Sequence, residues 1–111
     1  MEYACLFYVA HDADIPPGAF AECIGVAEEA HRAGAMVNAR GLEDAASATT
    51  VRVRDGKRVL TDGPFAETKE VLVGFFIFEC PSLDEAIAWA TKLPQSRYGS
   101  VEVRPVRALE P

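Results

Sequence analysis

The 111-residue chain has few cysteines, no apolar run long enough to cross a membrane, and no excess of basic charge. Its three cysteines, Cys5, Cys23 and Cys80, form neither an even set nor a C-x-x-C pair, so no disulfide framework is expected. Each lies in an apolar run, which predicts three buried, unpaired thiols. The run at residues 3–9 is far shorter than a bilayer requires. Because no basic region or small-residue cleavage site accompanies it, we expect a cytoplasmic protein.

The charge balance restricts the partners. With 17 acidic and 11 basic side chains, the formal net charge is −6. This sign repels phosphate backbones and anionic lipid surfaces, so neither nucleic acid nor a membrane is an expected partner. No nucleophile elbow or phosphate-binding glycine loop occurs in the sequence. The run His11-Asp12-Ala13-Asp14 places three metal-binding residue types together but lacks a second cluster, so we expect no metal and no cofactor.

Apolar patterning predicts an alternation of strands and helices. In chain order, the expected elements are strand 3–9, helix 17–33, strand 35–41, a hairpin at 49–61, strand 71–80, a helix from the capping box at Ser82 to before Pro94, and a final strand through Val101, Val103 and Val106. The strands at 3–9 and 71–80 are apolar on both faces, which is typical of the centre of a sheet. Gly74 in the second of these predicts a bulge or a close approach by another element.

For the hairpin the sequence predicts which residues pair, and for the two helices it predicts which residues are buried. A two-residue Asp55-Gly56 turn pairs Val51 with Leu60 and Val53 with Arg58. The first helix has a broad apolar arc that includes Phe20, Ile24 and His31, so His31 is expected to lean toward the sheet. The buried stripe of the second helix is expected to comprise Leu83, Ala86, Ile87, Ala90 and Leu93, with Trp89 beside it.

This order of elements predicts a single domain over residues 1–111. Two strand–helix units that feed one antiparallel sheet give an α+β, ferredoxin-like fold with two helices on one face of the sheet and an inserted β-hairpin. The central strands are apolar on both sides, so the second sheet face would be left exposed in a monomer. A homodimer that closes sheet on sheet is therefore expected.

The segment TDGPFAETKE, Thr61 to Glu70, carries a family resemblance. Together with ATTVRVRDGKRVL before it, the Gly-Phe-Phe strand after it, and YACLFYV, SLDEAIAWA and GSVEVRPV elsewhere, it resembles the DGPF-domain proteins of the YCII-related family. The resemblance covers nearly the whole chain apart from about residues 10 to 20. It implies a dimeric α+β barrel.

The resemblance implies less about activity. Most members of this branch have no assigned reaction, and some are encoded beside sigma factors of the extracytoplasmic-function type, which makes such a factor a candidate partner. Some wider YCII-like relatives are small-molecule enzymes thought to use a His and Asp pair, with the histidine on the first helix. The matching position here lies near Cys23, and His31 lies about two turns later.

Asp62 is the main candidate for a catalytic carboxylate, with His31 or His11 as the imidazole of an acid–base mechanism. Gly63, Pro64, Phe65 and Thr68 are the candidate substrate-binding residues. The structural alternatives are an Asp62 that caps the turn, a His31 packed in the core and a His11 in a solvated loop. Two functions follow: a small-molecule binder or acid–base enzyme that uses a cleft beside this loop, or a non-catalytic interaction module linked to a sigma factor.

Overall fold

The computed structural model describes residues 1–110, which form six strands and three α-helices. The elements are β1 Glu2–Ala10, α1 Ala19–Arg32, β2 Met36–Gly41, β3 Thr49–Arg54, β4 Lys57–Asp62, β5 Glu70–Glu79, α2 Leu83–Lys92, α3 Gln95–Tyr98 and β6 Ser100–Pro105. A short 3₁₀ helix, Ala45–Ser47, precedes β3. Among residues 1–110, no helix combines the length and the apolar character needed to cross a membrane.

The main sheet has four antiparallel strands in the order β2-β5-β1-β6. The two strands that are apolar on both faces, β1 and β5, occupy its centre, as their sequences predict. With helices α1 and α2 in the connections, this α+β arrangement is consistent with a ferredoxin-like fold.

The core lies between one sheet face and both long helices. Alternate residues of β1 are buried, and the sheet side chains pack in one cluster with small helix residues. This cluster comprises Tyr3, Cys5, Phe7, Val26, Ala30, Ala35, Phe76, Phe78, Cys80, Ala86, Ala90 and Leu93. The other sheet face, which we call the open face, presents the half-buried side chains of Ala4, Leu6, Tyr8, Phe75 and Ile77.

Gly74 lies next to a β-bulge and is also closely approached by another strand, as its position in the sequence predicts. Pairing of β1 with β5 shifts in register between Phe7, which faces Gly74, and Tyr8, which faces Leu72, so Val73 is the extra residue of a β-bulge. A Cβ atom on Gly74 would lie 2.8 Å from the backbone oxygen of Arg40. A side chain at this position would therefore collide with β2.

Strands β3 and β4 form a separate two-stranded sheet, the hairpin arm (residues 49–62). Its pairs Val51–Leu60 and Val53–Arg58 are those predicted from the Asp-Gly turn. Asp55 and Gly56 both have positive φ angles, of 51° and 72°, as a two-residue hairpin turn requires. Every residue of β4 is exposed, so the arm lies outside the core.

Three expectations about burial are wrong. Leu83 and Ile87 of α2 are exposed. At 100° per residue, Ile87 and Trp89 lie on opposite sides of Ala86, and Trp89 stacks on Phe78 with ring centroids 5.5 Å apart. This stacking turns α2 so that Ile87 faces outward.

The third correction concerns the cysteines. All three are unpaired, as predicted, but only Cys5 and Cys80 are buried, and Cys23 is half-buried. Cys23 lies on α1 and lines a cavity between this helix and the sheet. The expectation of a fully buried thiol therefore fails at this position.

Candidate functional site

The segment Asp62-Gly63-Pro64-Phe65 is held in place through the backbone around Gly63. The Gly63 N–H donates to the Ala48 carbonyl oxygen at 2.6 Å, and the Thr50 hydroxyl donates to the Gly63 carbonyl oxygen at 2.9 Å. Gly63 has a φ angle of 93°, which favours glycine. These contacts fix the start of the loop against β3 and the residue that follows the 3₁₀ helix.

The loop forms one wall of a cleft of about 610 Å³, which we call the loop cleft. Pro64, Phe65 and Thr68, three of the four predicted substrate-binding residues, line it. The opposite walls come from the ends of β1 and β5 and from the connection after β2. Gly63, the fourth predicted residue, does not line the cleft but anchors the loop that does.

Apart from the Tyr8 hydroxyl, which can donate, the polar side chains of the loop cleft offer hydrogen-bond acceptors. Three of them are carboxylates: Glu43, Asp44 and Glu70. The hydroxyl groups of Ser47, Thr50 and Thr68 donate to the backbone oxygens of Asp44, Gly63 and Glu70, respectively, so their protons are already used. No lysine, arginine or histidine side chain lines this cleft within residues 1–110.

Asp62 lies at the end of β4, opposite Thr49, and is exposed. Within the described part of the chain, its carboxylate accepts no hydrogen bond, and Asp62 lines neither of the two cavities described here. The turn is held by Thr50 and Ala48 instead. The catalytic role of Asp62 stays a prediction.

The two histidines lie in different places. The backbone N–H of His11 donates to the Lys69 carbonyl oxygen at 3.1 Å, so His11 is next to the C-terminal end of the loop, where it is exposed. His31 is also exposed, and it lines a second cavity together with residues of the sheet, on the side of α1 that the sequence predicted. The structure therefore brings His11, and not His31, close to the loop segment that begins at Asp62.

The second cavity, the helix cavity, has a volume of about 700 Å³ and lies between α1 and the sheet. Its apolar lining includes Phe7, Ile15, Phe20, Ile24, Val73 and Phe76. His31 shares a helical stripe with Phe20 and Ile24, at spacings of four and seven residues. Only Leu42 lines both this cavity and the loop cleft.

Three polar residues line the helix cavity away from that stripe: Cys23, Gln95 and Tyr98. The Gln95 amide nitrogen donates to the Cys23 sulfur at 3.6 Å. Burial raises the pKa of the Cys23 thiol and the pKa of the Tyr98 hydroxyl, so both groups are neutral at pH 7.

Sequence reasoning missed Gln95 and Tyr98 because Pro94 was taken as the end of a helix. Pro94 is in fact the N-cap of α3. Proline is favoured at the start of a helix, and Gly99 follows the four-residue segment as its C-cap. Pro94 and Gly99 were the features of the sequence from which this short helix could have been predicted.

Within residues 1–110, no three His, Cys, Asp or Glu side chains lie close enough together to hold a metal ion. The side chains of the run from His11 to Asp14 do not converge with a second acidic or cysteine group.

Comparison with known proteins adds a family match. A sequence model of the YCII-related domain matches residues 1–110. The chain is also 42% identical over 81 residues to Uncharacterized protein R00369 of Rhizobium meliloti (strain 1021). That alignment covers 71% of this chain and 65% of the relative, so the chain spans about two thirds of the relative's length.

Proposed function

The chain belongs to the YCII-related domain family, and from this premise we propose that it binds a small amine with an apolar body in the loop cleft. The observation that carries the proposal is the set of polar side chains in that cleft. It contains three carboxylates, the phenol of Tyr8 and no cationic side chain, and its serine and threonine hydroxyls have their protons committed to backbone oxygens. A ligand that donates hydrogen bonds and carries positive charge complements these acceptors, whereas a carboxylate or phosphate is repelled.

The apolar side chains that line the loop cleft support the proposal that the amine has an apolar body. The cleft is walled by the side chains of Leu42, Ala45, Ala48, Pro64, Phe65, Ala66, Val71 and Leu72. Its volume of about 610 Å³ falls in the range of roughly 300–1,000 Å³ that is usual for small-molecule sites. An aromatic or aliphatic body on the amine would cover this surface, including Phe65, which is 74% exposed.

Calorimetric titration with phenethylamine and with 3-phenylpropanoate, which share a phenyl ring and differ in charge, tests the proposal. We expect the amine to bind and the carboxylate not to bind. Glu70→Gln and Glu43→Gln should each weaken the amine about two- to fivefold, as expected for loss of an exposed charge pair of roughly 0.5–1 kcal/mol. Glu67→Gln is the matched control, because Glu67 is an exposed carboxylate of the same loop that does not line the cleft.

Equal binding of the two compounds would contradict the proposal, as would an equal effect of Glu67→Gln and Glu70→Gln.

An acid–base reaction at this cleft goes beyond amine binding and stays a prediction. Its support is the placement of Asp62 and His11 at the two ends of the loop segment. Loss of turnover in Asp62→Asn with retained amine binding would support catalysis.

We also propose a homodimer, which the exposed apolar surface of a single chain supports. The open face and the hairpin arm both expose apolar side chains in one chain. Val51, Val53 and Leu60 share one face of the arm and are each more than half exposed. The arm carries four basic and two acidic residues, a net charge of +2. Because the whole chain has a net charge of −6, the rest of the chain has a net charge of −8.

The apolar face of the arm and the open face of a second copy therefore complement each other in apolar character. An isolated two-stranded hairpin is only marginally stable in water, which is a further reason for the arm to be covered. A sigma factor as the partner, expected from the family resemblance, stays a prediction. Copurification of the chain with such a factor after co-expression is the measurement that checks it.

A further inference from the structure

We propose that two copies of the chain meet through their hairpin arms, with Arg58 of each copy paired with Asp62 of the other. This inference rests on the proposed homodimer and names the surface that forms it. Asp62, the predicted catalytic carboxylate at the start of the loop, would then contribute to the contact between the copies.

The side chains of the arm divide into two faces according to the strand register. Thr50 and Arg52 point toward their own loop, since both donate hydrogen bonds to carbonyl oxygens of that loop. Asp62 lies on the opposite face, because side chains alternate along a strand and Asp62 is paired with Thr49. The hydrogen bond from the Gly63 N–H continues the pairing beyond Asp62, which fixes this orientation.

The apolar face of the arm has an apolar centre and one charge at each end. Val51, Val53 and Leu60 form the centre, and each is between 55% and 62% exposed. On the same face, Arg58 lies two residues before Leu60 and Asp62 lies two residues after it. Both charged side chains are exposed, and neither forms an ion pair within residues 1–110. Four residues of strand place their Cα atoms about 13 Å apart.

This order of residues is self-complementary under a two-fold rotation. When two arms pack face to face with their β4 strands antiparallel, Leu60 of one copy meets Leu60 of the other on the two-fold axis. Arg58 then lies opposite Asp62 of the second copy, and the reciprocal pair forms on the other side of the axis. One rotation therefore covers apolar surface with apolar surface and pairs the charges at both ends.

Charge distinguishes this contact from two alternatives. The opposite face of the arm carries Arg52, Arg54 and Lys57 and no acidic residue, so two copies of that face repel each other. The open face of a second copy matches the arm in apolar character, but its Glu102 and Arg104 already pair with each other. Apolar character thus permits both the open face and a second arm, and the two unpaired charges favour a second arm.

Charge reversal followed by sedimentation velocity tests the contact. Arg58→Glu brings two carboxylates together at each end of the contact, and Asp62→Arg brings two guanidinium groups together. We expect each single variant to raise the Kd of the dimer at least about tenfold, because like charges then face each other. Lys57→Glu is the matched control, since it makes the same change of charge on the opposite face of the arm. It should change the Kd by less than about threefold.

Restoration of the dimer identifies which charges pair. The double variant Arg58→Glu/Asp62→Arg exchanges the two charges, and its Kd should return to within about threefold of the wild-type value. An equimolar mixture of the two single variants should form a heterodimer, because the two reversed residues then face each other and the two unchanged residues face each other. Packing of the arm on the open face predicts no such rescue in the mixture. If Asp62→Arg does not fold, judged by its circular dichroism melt, the comparison of Arg58→Glu with Lys57→Glu still decides the matter.

A wild-type dimer that neither single reversal weakens would overturn the arm contact and leave the proposed homodimer standing. Single variants that stay monomeric when mixed would also overturn the contact, as would an equal effect of Lys57→Glu and Arg58→Glu. A monomeric wild type would overturn the homodimer and the arm contact together. Failure of phenethylamine to bind would bear only on the loop cleft.

Discussion

At the scale of single residues, Thr50 and Asp62 have contrasting roles in the loop. The Thr50 hydroxyl is half-buried and donates to the Gly63 carbonyl oxygen, whereas the Asp62 carboxylate is exposed and accepts no hydrogen bond within residues 1–110. We therefore expect Thr50→Val to lower the free energy of unfolding by about 1 kcal/mol and Asp62→Asn to change it by less than about 0.5 kcal/mol. Urea denaturation of the two variants measures both values. The opposite order would make Asp62 the residue that stabilises the turn.

Cys5 provides a second prediction at the residue scale, concerning pH. Burial raises the pKa of the Cys5 thiol from its ordinary value of 9.0 to about 12. Below pH 9 the thiol is protonated in the folded and unfolded states alike, so its contribution to stability is fully present there. As the pH rises from about 9 toward 12, only the unfolded state loses the proton, and this contribution is lost.

The expected loss is about 1.4 kcal/mol between pH 8 and pH 10, which corresponds to one pH unit above the ordinary pKa. Other groups titrate in the same range, so the quantity to measure is the difference in unfolding free energy between wild type and Cys5→Ala. This difference should shrink by that amount as the pH rises from 8 to 10. A constant difference would show that the buried thiol ionises as readily as an exposed one.

At the scale of elements, the approach of β2 to β5 at Gly74 determines which side chains the sheet accepts. Because a Cβ atom there would lie 2.8 Å from the Arg40 carbonyl oxygen and 3.3 Å from the Phe7 ring, Gly74→Ala should destabilise the protein by about 1–3 kcal/mol. Gly25→Ala, in the middle of α1 with no atom within 4 Å of the added carbon, should be neutral or stabilise by up to about 1 kcal/mol. Thermal melts of the two variants make the comparison. Equal changes would show that strand spacing is not the cause.

The elements also show what could be predicted from the sequence. Strands β1 and β5, the capping box at Ser82 and the Asp55-Gly56 turn depend on local pattern and turn chemistry, and the sequence predicted each of them. The exposure of Ile87 depends on the stacking of Trp89 against Phe78, a tertiary contact that helix periodicity does not contain.

The candidate site shows the same division. Pro64, Phe65 and Thr68 were predicted from a motif and line the loop cleft, because consecutive loop residues share one location. Glu43 and Asp44 were not predicted, since they reach the cleft from a connection that is remote in sequence. Gln95 and Tyr98 belong to a four-residue helix that is too short to have a recognisable period.

At the scale of the whole molecule, the chain is flat and extended. Its dimensions are 47 × 41 × 19 Å and its radius of gyration is 15.8 Å, against about 13 Å for a compact chain of this length. The hairpin arm is one cause of the excess, because it lies outside the four-stranded sheet. A molecule of this shape leaves more apolar surface exposed than a sphere of the same volume, which supports a dimer.

Sedimentation velocity at micromolar concentration should give a species of twice the chain's 12.0 kDa mass. Val51→Asp, on the apolar face of the arm, should weaken the dimer at least about tenfold, because a desolvated carboxylate would replace an apolar contact. Val59→Asp, on the opposite face of the arm, is the matched control and should have a smaller effect. A wild-type protein that sediments as a monomer would contradict the proposed homodimer.

The bulge at Val73 assigns the side chains of β5 to two separate compartments. On its C-terminal side, Phe76 and Phe78 face the helices, whereas on its N-terminal side Glu70 and Leu72 lie opposite Ala10 and Tyr8, on the open face. Four residues of the same parity thus point in two directions, because one extra residue reverses the alternation. Deletion of Val73 would restore regular pairing and leave Glu70 and Leu72 opposite Ala10 and Tyr8, whereas a strand that kept all its residues without the bulge would turn both side chains toward the helices. The bulge is therefore what directs Glu70 and Leu72 to the loop cleft, while Phe76, with the same parity in the sequence, lines the helix cavity.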